Sequence, residues 1–162
     1  MLNILFVCKA NTCRSILAEG ILRQLISDTD LENKFEIDSA GTHVTEEFLP
    51  PDPRAIEVAG ENGIDVSRFH TRSIKQSDFL DFDYIIVMDK TNLTDLNNFR
   101  LEPIGTTPRL LLEFSKLVSD KEVFDPYDYD IATYREVIKL IHAGSDRLLK
   151  VLRETEHSIV LR

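Results

Sequence analysis

Apolar residues fill the first segment of the chain without polar alternation. Residues 2–7 are too few for a helix, and a continuous apolar run of this length is typical of a strand covered on both faces. A polar stretch follows, and apolar residues then recur three and four positions apart, at Leu17, Ile21, Leu22 and Leu25. This spacing predicts a helix that begins near residues 13–15 and runs toward residue 27. The chain therefore opens with a strand, a loop and a helix.

The same alternation continues through the rest of the chain. The pattern predicts further strands at residues 35–40, 84–88 and, more weakly, 108–114. It predicts further helices that begin at residues 54–58, after a proline-rich break, and that cover residues 90–97 and 131–153. Strands that alternate with helices form mostly parallel sheets joined by right-handed crossovers. We therefore expect an α/β fold with a single three-layer domain over residues 1–162, in which helices cover both faces of a four-stranded parallel sheet.

Composition and charge narrow the possible functions. The chain is 43% hydrophobic and 29% charged, as in ordinary globular domains. A formal net charge of −9 argues against a nucleic-acid partner, whose phosphates would be repelled by most of the surface. The sequence shows no membrane-length apolar run and no secretory leader, and its two cysteines are not spread as a disulfide framework. We therefore expect a cytoplasmic protein with no membrane partner, in which an anionic substrate needs a local positive pocket.

A polar loop between Cys8 and Arg14 follows the first predicted strand, at the end of the sheet where ligands bind. A loop of this length can turn its backbone N–H groups toward a tetrahedral oxyanion, and the next helix adds the positive end of its dipole. Arg14 can grip two phosphate oxygens with its planar guanidinium. The same donors would stabilise a thiolate at Cys8, which could attack phosphorus and form a phosphocysteine intermediate.

The residues around this loop resemble a known signature. The stretch reads Val7-Cys8-Lys9-Ala10-Asn11-Thr12-Cys13-Arg14-Ser15-Ile16. It is similar to the motif Val-Cys-x-Gly-Asn-x-Cys-Arg-Ser-Pro of the low-molecular-weight protein tyrosine phosphatase family. The resemblance extends over nearly the whole chain, through Asp38-Ser39-Ala40-Gly41-Thr42, Pro51-Asp52-Pro53-Arg54-Ala55, Met88-Asp89, Asn92-Leu93 and Asp125-Pro126-Tyr127.

The resemblance implies a catalytic set and a phosphate-binding set. It implies Cys8 as the nucleophile, Arg14 as the phosphate-binding catalytic arginine, and Asp125 as the general acid and then the general base. The residues expected to bind substrate or phosphate are Lys9, Ala10, Asn11, Thr12, Cys13, Ser15 and Tyr127, and Ser39 is expected to support the loop. No cofactor and no metal are expected. The expected partners are a phosphorylated protein, carrying phosphotyrosine, and inorganic phosphate or other oxyanions, bound by a monomer or weak dimer.

Some of these residues also have simpler interpretations. Cys8 could be a buried structural thiol, although Arg14 and Asp125 in register favour catalysis. The resemblance suggests that Cys13 forms a reversible disulfide with Cys8, whereas a small buried packing residue is an equal alternative. Lys9 either attracts the charge of the substrate or is a solvated loop residue. The four histidines are expected at the surface, and none is assigned to catalysis.

Four features depart from the family pattern. Ala10 replaces a glycine, and would cost about 1 kcal/mol if its φ angle had to be positive. Ile16 replaces a proline in the first helical turn, which should have a mild effect. Residues 43–49 lack the tryptophan or tyrosine that commonly lines the pocket, and Asp128 replaces an aromatic residue. These last two changes would weaken phosphotyrosine binding.

Three alternative functions follow from the same residues. Thr12 resembles the residue found in the protein arginine phosphatase branch of the family, so phosphoarginine is an alternative substrate. Arsenate reductases share the loop but pass electrons through downstream cysteines; because this chain has none after Cys13, a reductase would need an external thiol. A phosphate-binding module without turnover is the third alternative, and intact Cys8, Arg14 and Asp125 argue against it.

Overall fold

A four-stranded parallel sheet forms the centre of the protein. The computed structural model describes residues 1–27, 29–115 and 119–160, with side chains as far as His157; residues 28, 116–118, 161 and 162 of the expected domain lie outside this description. The strands are β1 (Leu2–Cys8), β2 (Phe35–Gly41), β3 (Tyr84–Val87) and β4 (Arg109–Leu110), arranged in the order β2-β1-β3-β4. All neighbouring pairs are parallel, so the predicted α/β fold and its sheet are confirmed.

Helices cover both faces of this sheet. They are α1 (Arg14–Ile26), α2 (Pro53–Glu61), α3 (Asp78–Asp81), α4 (Lys90–Phe99) and α5 (Ile131–Val160). Residues of α1, α2 and α5 share one apolar cluster with Ile4 and Phe6 of β1, whereas residues of α3 and α4 share another with Leu5 and Val7. All four strand residues have no exposed surface. This alternation explains the unbroken apolar run of β1, because both of its faces are covered.

The carboxyl ends of three adjacent strands meet at one edge. Cys8 ends β1 and pairs with Gly41 of β2, while Asp89 lies just beyond β3. A Cβ atom on Gly41 would meet the Lys9 carbonyl oxygen at 2.7 Å and the Asn11 nitrogen at 3.0 Å. The loop after β1 therefore approaches β2 so closely that glycine is required there.

Side-chain caps fix where two helices begin beside this edge. Asp52 caps α2 by accepting a hydrogen bond from the Arg54 backbone N–H at 2.8 Å, and Pro53 occupies the first turn. Asp89 and Asn92 form a reciprocal capping box on α4, in which Asn92 N donates to Asp89 Oδ1 at 2.7 Å. Both capping carboxylates therefore lie next to the carboxyl ends of the strands.

The structure corrects the prediction for residues 108–114. Only Arg109–Leu110 form a strand, and Leu111–Phe114 turn into a 3₁₀ helix instead. Leu111 and Leu112 are consecutive, both fully buried, and both pack near Gly144 of α5. Consecutive side chains of a strand would point to opposite faces of the sheet, so the helical turn is what directs both toward α5. Leucine also suits a helical turn better than a strand.

Two other elements differ from expectation. Helix α3 was not predicted, because four residues are too few to show helical periodicity. Helix α5 continues to Val160 rather than ending at residue 153, since the sequence offers no glycine or proline to stop it. Despite this length, neither α5 nor another helix among the described residues has an apolar stretch that could cross a bilayer.

Candidate active site

Cys8 lies at the carboxyl end of the central strand, with its sulfur beside a hydroxyl group. The residue is 3% exposed, and Cys8 Sγ lies 3.0 Å from Ser15 Oγ in the first turn of α1. Strand β1 fixes the backbone of Cys8 and α1 fixes Ser15. A hydroxyl at this distance can donate a hydrogen bond to the sulfur.

Residues 9–13, here called the Cys8 loop, are held by backbone bonds from neighbouring segments. Three carbonyl oxygens at this edge accept backbone bonds from outside the loop: Cys8 O from Thr42 N at 2.9 Å, Lys9 O from His43 N at 2.8 Å and Thr12 O from Asp52 N at 2.9 Å. Within the described part of the chain, no protein acceptor pairs with the backbone N–H groups of residues 9–13. These donors are therefore free to bind an oxyanion.

Asn11 holds the shape of the Cys8 loop from inside. It is fully buried, has a φ of 56°, and belongs to the residue type that best tolerates this angle. Its Nδ2 donates to Ser15 Oγ at 2.8 Å and to Ser39 Oγ at 3.0 Å, while its Oδ1 accepts from Arg72 N at 2.9 Å. Asn11 and Ser39 therefore lie where they can support the loop.

Ala10 does not need the conformation that the missing glycine would provide. Among the described residues other than glycine, only Asn11 and Phe48 have positive φ angles. The methyl group of Ala10 therefore carries no backbone penalty of the kind considered above, because Asn11 is the residue that adopts the left-handed angle.

Glu19 extends this support into the core, and the sequence did not point to it. Ser39 Oγ donates to Glu19 Oε2 at 2.7 Å, and Arg23 Nε donates to Glu19 Oε1 at 3.0 Å. Burial raises the pKa of Glu19, although the bonds from Ser39 and Arg23 oppose this. Its only signal in the sequence is a carboxylate within the otherwise apolar segment of α1, which marks a buried polar group.

Arg14 faces the site with its guanidinium held by two hydrogen-bond acceptors and one further carboxylate. Its side chain is 2% exposed. Nη1 donates to Asp89 Oδ2 at 2.6 Å and to the Val123 carbonyl at 2.9 Å, and Nη2 lies 3.4 Å from Asp125 Oδ2. Burial lowers the pKa of Arg14, but Cys8 and the carboxylates of Asp89 and Asp125 outweigh burial and raise it. The arginine thus stays charged and oriented beside the sulfur.

Asp125 reaches the same cavity from a distant segment. Residues 123–129, here called the Asp125 loop, place this carboxylate beside Arg14 with 44% of its side chain exposed. A cavity of about 460 Å³ is lined by Lys9, Arg14, His43, Asp89, Thr91, Asn92, Asp95 and Asp125. The side chains of Arg14, Asp125 and Lys9 therefore line one cavity, next to the Cys8 loop.

Arg54 connects the Asp125 loop to the start of α2. Its Nη2 and Nε donate to the two carboxylate oxygens of Asp52 at 2.8 and 3.0 Å, and its Nη1 donates to the Tyr129 carbonyl at 2.8 Å. The guanidinium also lies over the rings of Tyr134 and Tyr127, 4.5 and 5.8 Å from their centroids. This link was not predicted from the sequence.

Other expected site residues lie at the margin of the cavity. Tyr127 is 62% exposed and does not line the cavity. Its ring instead lies against the guanidinium of Arg54. All four histidines are exposed, as expected, and His43 lines the cavity. No group of three or more histidine, cysteine or carboxylate side chains among the described residues is placed to hold a metal ion.

Cys13 is a buried thiol whose surroundings disfavour the thiolate form. Burial raises its pKa well above the usual value, and the charges of Cys8, Asp125 and Asp52 raise it further, with Arg14 opposing them. Both cysteines are unpaired. The reversible disulfide between them stays a prediction.

Comparison with known proteins identifies relatives along most of the chain. The model of the low molecular weight phosphotyrosine protein phosphatase family matches residues 3–158. A low molecular weight phosphotyrosine protein phosphatase of Schizosaccharomyces pombe is 40% identical over 129 residues, covering 78% of this chain and 81% of the relative. The low molecular weight protein-tyrosine-phosphatase YfkJ of Bacillus subtilis is 34% identical over 155 residues, covering 95% and 97%.

A solved structure agrees with this relationship. The crystal structure of a protein tyrosine phosphatase from Entamoeba histolytica, with Hepes in its active site, superposes with a TM-score of 0.89. It is 31% identical in sequence and covers 96% of this chain and 99% of its own. The likeness in fold thus accompanies a likeness in sequence.

Proposed function

The chain belongs to the low molecular weight phosphotyrosine protein phosphatase family, and from this premise we propose that Cys8, Arg14 and Asp125 carry out a two-step hydrolysis of phosphotyrosine. Its activity is that of a low molecular weight protein tyrosine phosphatase. The observation that carries the assignment of roles is the meeting of Arg14 Nη2 and Asp125 Oδ2, at 3.4 Å, in a cavity that is also lined by Lys9, the residue after Cys8.

In the first step, the Cys8 thiolate attacks the phosphorus atom. The bond from phosphorus to the tyrosine oxygen breaks, an S–P bond forms, and protonated Asp125 gives its proton to the departing phenolate. The backbone N–H groups of residues 9–13 and the guanidinium of Arg14 bind the phosphoryl oxygens as charge moves onto them. Tyrosine leaves, and Cys8 holds the phosphoryl group.

In the second step, Asp125 reverses its role. Its carboxylate accepts a proton from water, whose oxygen attacks phosphorus, and the S–P bond breaks to release inorganic phosphate. Ser15 Oγ, 3.0 Å from the sulfur, donates to the thiolate as it departs. Asp125 ends the cycle protonated, and Cys8 is again a thiolate.

The substrate in this proposal is a phosphorylated protein that presents phosphotyrosine, and the cavity also binds inorganic phosphate and other oxyanions. The relatives described above, which are named as tyrosine phosphatases, favour this substrate over phosphoarginine. We also expect a monomer or weak dimer, and a single domain over residues 1–162. The mechanism depends on neither expectation.

Hydrolysis of p-nitrophenyl phosphate by wild type and variants tests the roles. Cys8→Ser should abolish turnover, and Asp125→Asn should lower it by about 10²–10⁴-fold, the usual contribution of a general acid. Asp128→Asn is the matched control, because it removes a nearby exposed carboxylate and should keep near wild-type activity. Full activity of Cys8→Ser would overturn the proposed nucleophile.

Two further assays separate the alternatives. A phosphotyrosine peptide should be hydrolysed faster than the matched phosphoarginine peptide, and the reverse order would support the arginine phosphatase alternative. Reduction of arsenate with added thiol, without hydrolysis of the aryl phosphate, would support the reductase. A protein that binds phosphate but hydrolyses none of these substrates would be a binding module.

A further inference from the structure

A second cavity adjoins the catalytic cavity. It has a volume of about 270 Å³, against about 460 Å³ for the catalytic one, and both are lined by His43 and Asp95. The other side chains that line the second cavity are Thr42, Ile74, Asn98 and Phe99. The two cavities are therefore adjacent, with the pair His43 and Asp95 between them.

Both cavities follow one side of helix α4. Thr91, Asn92 and Asp95 line the catalytic cavity, and Asp95, Asn98 and Phe99 line the second. Residues three and four positions apart lie on the same face of a helix. At 1.5 Å per residue, the groove from residue 91 to residue 99 is about 12 Å long. An extended peptide, at about 3.3 Å per residue, would cover this length with three or four residues.

The walls of the second cavity are held in place by the rest of the fold. Ile74 is only 6% exposed, and its N–H donates to the Gly41 carbonyl at 3.0 Å. Phe99 is 40% exposed, and its ring lies 6.4 Å from that of Phe79. The cavity therefore has a fixed apolar wall that still reaches solvent.

A carboxylate faces this apolar wall. The Asp95 side chain is 29% exposed, and Asp95 Oδ2 lies 3.6 Å from His43 Nδ1, which is itself 2.9 Å from Thr42 Oγ1. This contact neutralises the carboxylate only when His43 is protonated. Lys9, the lysine of the catalytic cavity, does not line the second cavity. The second cavity therefore favours a cation with an apolar stem.

We propose that the second cavity is a substrate subsite that binds a lysine or arginine side chain within three residues of the phosphotyrosine. This inference rests on the proposed function, because the occupant is the chain that continues from a phosphotyrosine seated beside Cys8. The methylene stem of the substrate side chain packs on Ile74 and Phe99 while its charged head reaches Asp95. A guanidinium or ammonium beside the exposed ring of Phe99 adds a cation–π contact.

Matched phosphotyrosine peptides test the subsite. Each peptide carries lysine, norleucine or glutamate at one of the three positions on either side of phosphotyrosine, with alanine elsewhere. For wild type, kcat/KM should be about fivefold higher for lysine than for glutamate at one position or more, as expected for one partly exposed ion pair. Norleucine should fall between them, because it keeps the stem without the charge.

Variants of Asp95 assign the preference to this cavity. Asp95→Asn should reduce the ratio of lysine to glutamate peptides to about twofold or less, and Asp95→Lys should invert it. The ratio is taken within each variant, so a shared change in turnover cancels. Asp146→Asn is the control, because it changes net charge equally on α5, across the sheet, where Asp146 pairs with Lys150.

The outcomes separate this inference from the proposed function. Absence of p-nitrophenyl phosphate hydrolysis by wild type would overturn the catalytic assignment itself. Normal hydrolysis of that substrate without any lysine preference would overturn the subsite alone. An equal loss of preference in Asp95→Asn and Asp146→Asn would assign the preference to the overall charge of the protein, and would also overturn the subsite.

Discussion

Replacement of Arg54 by alanine tests whether this residue positions the general acid. The side chain is 33% exposed and bonds to Asp52, which stays in place as the cap of α2. Its contacts with the Asp125 loop are the bond to the Tyr129 carbonyl and the ring of Tyr127. A bond to a charged group contributes about 1.5–3 kcal/mol, which partial exposure reduces to about 1, and an exposed cation–π contact adds about 0.5.

A loss of about 1.5 kcal/mol lowers the ratio of positioned to displaced loop by about tenfold. The loss of activity should appear only for substrates whose hydrolysis depends on proton donation by Asp125. A series of aryl phosphates with leaving groups of increasing basicity measures this need, because a more basic phenolate requires more protonation in the transition state. Because the positioned fraction of the loop can fall by no more than this ratio, we expect Arg54→Ala to lower kcat/KM by at most about tenfold for phenyl phosphate, and by less, about twofold or below, for dinitrophenyl phosphate. The dependence of kcat/KM on the basicity of the leaving group should resemble that of Asp125→Asn, with a smaller slope.

Two further variants control for stability and for charge. Arg135 joins the same two helices, α2 and α5, through an ion pair with Glu61 at 2.7 Å, without contact to the Asp125 loop. Arg135→Ala should therefore lower kcat/KM only slightly, and by the same factor for every substrate in the series. Arg54→Lys keeps the charge but cannot reproduce the planar bonds, so it should recover only part of the loss. A uniform loss across leaving groups in Arg54→Ala would refute the positioning role.

Three other predictions concern the interior of the site. Burial raises the pKa of Glu19, so the folded protein binds the carboxyl proton more tightly than the unfolded chain does. The protonated Glu19 therefore stabilises the fold at low pH, and this contribution is lost as the pH rises from about 4.3, the unfolded value, through the raised pKa. Glu19→Gln should flatten this part of the curve of melting temperature against pH, and parallel curves would contradict it. Gly41→Ala should lower kcat/KM about hundredfold, because the new methyl group would push the Cys8 loop out of position. Gly60→Ala is its control, since no atom apart from its chain neighbours and its own helix backbone lies within 4 Å of a methyl group there, and equal activity of the two variants would refute the steric argument. The third prediction concerns the reactivity of Cys13 in a Cys8→Ser variant. Cys13 should resist alkylation by iodoacetamide at pH 8 until the protein is unfolded, because burial and a raised pKa leave little thiolate. Rapid alkylation of the native protein, measured by intact mass, would contradict this.

The sequence predicted what depends on local patterns. The apolar run of β1 and its alternation with helices indicated the parallel sheet, and the spacing of Cys8 and Arg14 placed both residues at the carboxyl edge. The same logic failed at residues 111–114, because a run of leucines suits a buried turn as well as a strand. Helix α3 is too short to have a period.

The bonds that Asp89 and Arg54 make at the site could not be predicted from local patterns, because they join distant segments. Asp89 accepts from Arg14 across 75 positions, and Arg54 reaches Tyr129 across 75 as well. No spacing rule connects such pairs. One signal was nevertheless present: Asp89 and Asn92 form a helix-capping pattern directly after a buried strand, which places a carboxylate at the edge where ligands bind.

The two arginines divide the task of holding the Asp125 loop. Arg14 bonds to Val123 and faces Asp125, whereas Arg54 covers Tyr127 and bonds to Tyr129, so Arg14 holds the first half of the loop and Arg54 the second. Arg14 also faces the oxyanion site, and its loss must impair phosphate binding together with proton transfer. Arg54 has no such contact, and its loss leaves the N–H donors of the Cys8 loop unchanged. Affinity for inorganic phosphate should therefore fall in Arg14→Ala and persist in Arg54→Ala, although both variants displace the same acid.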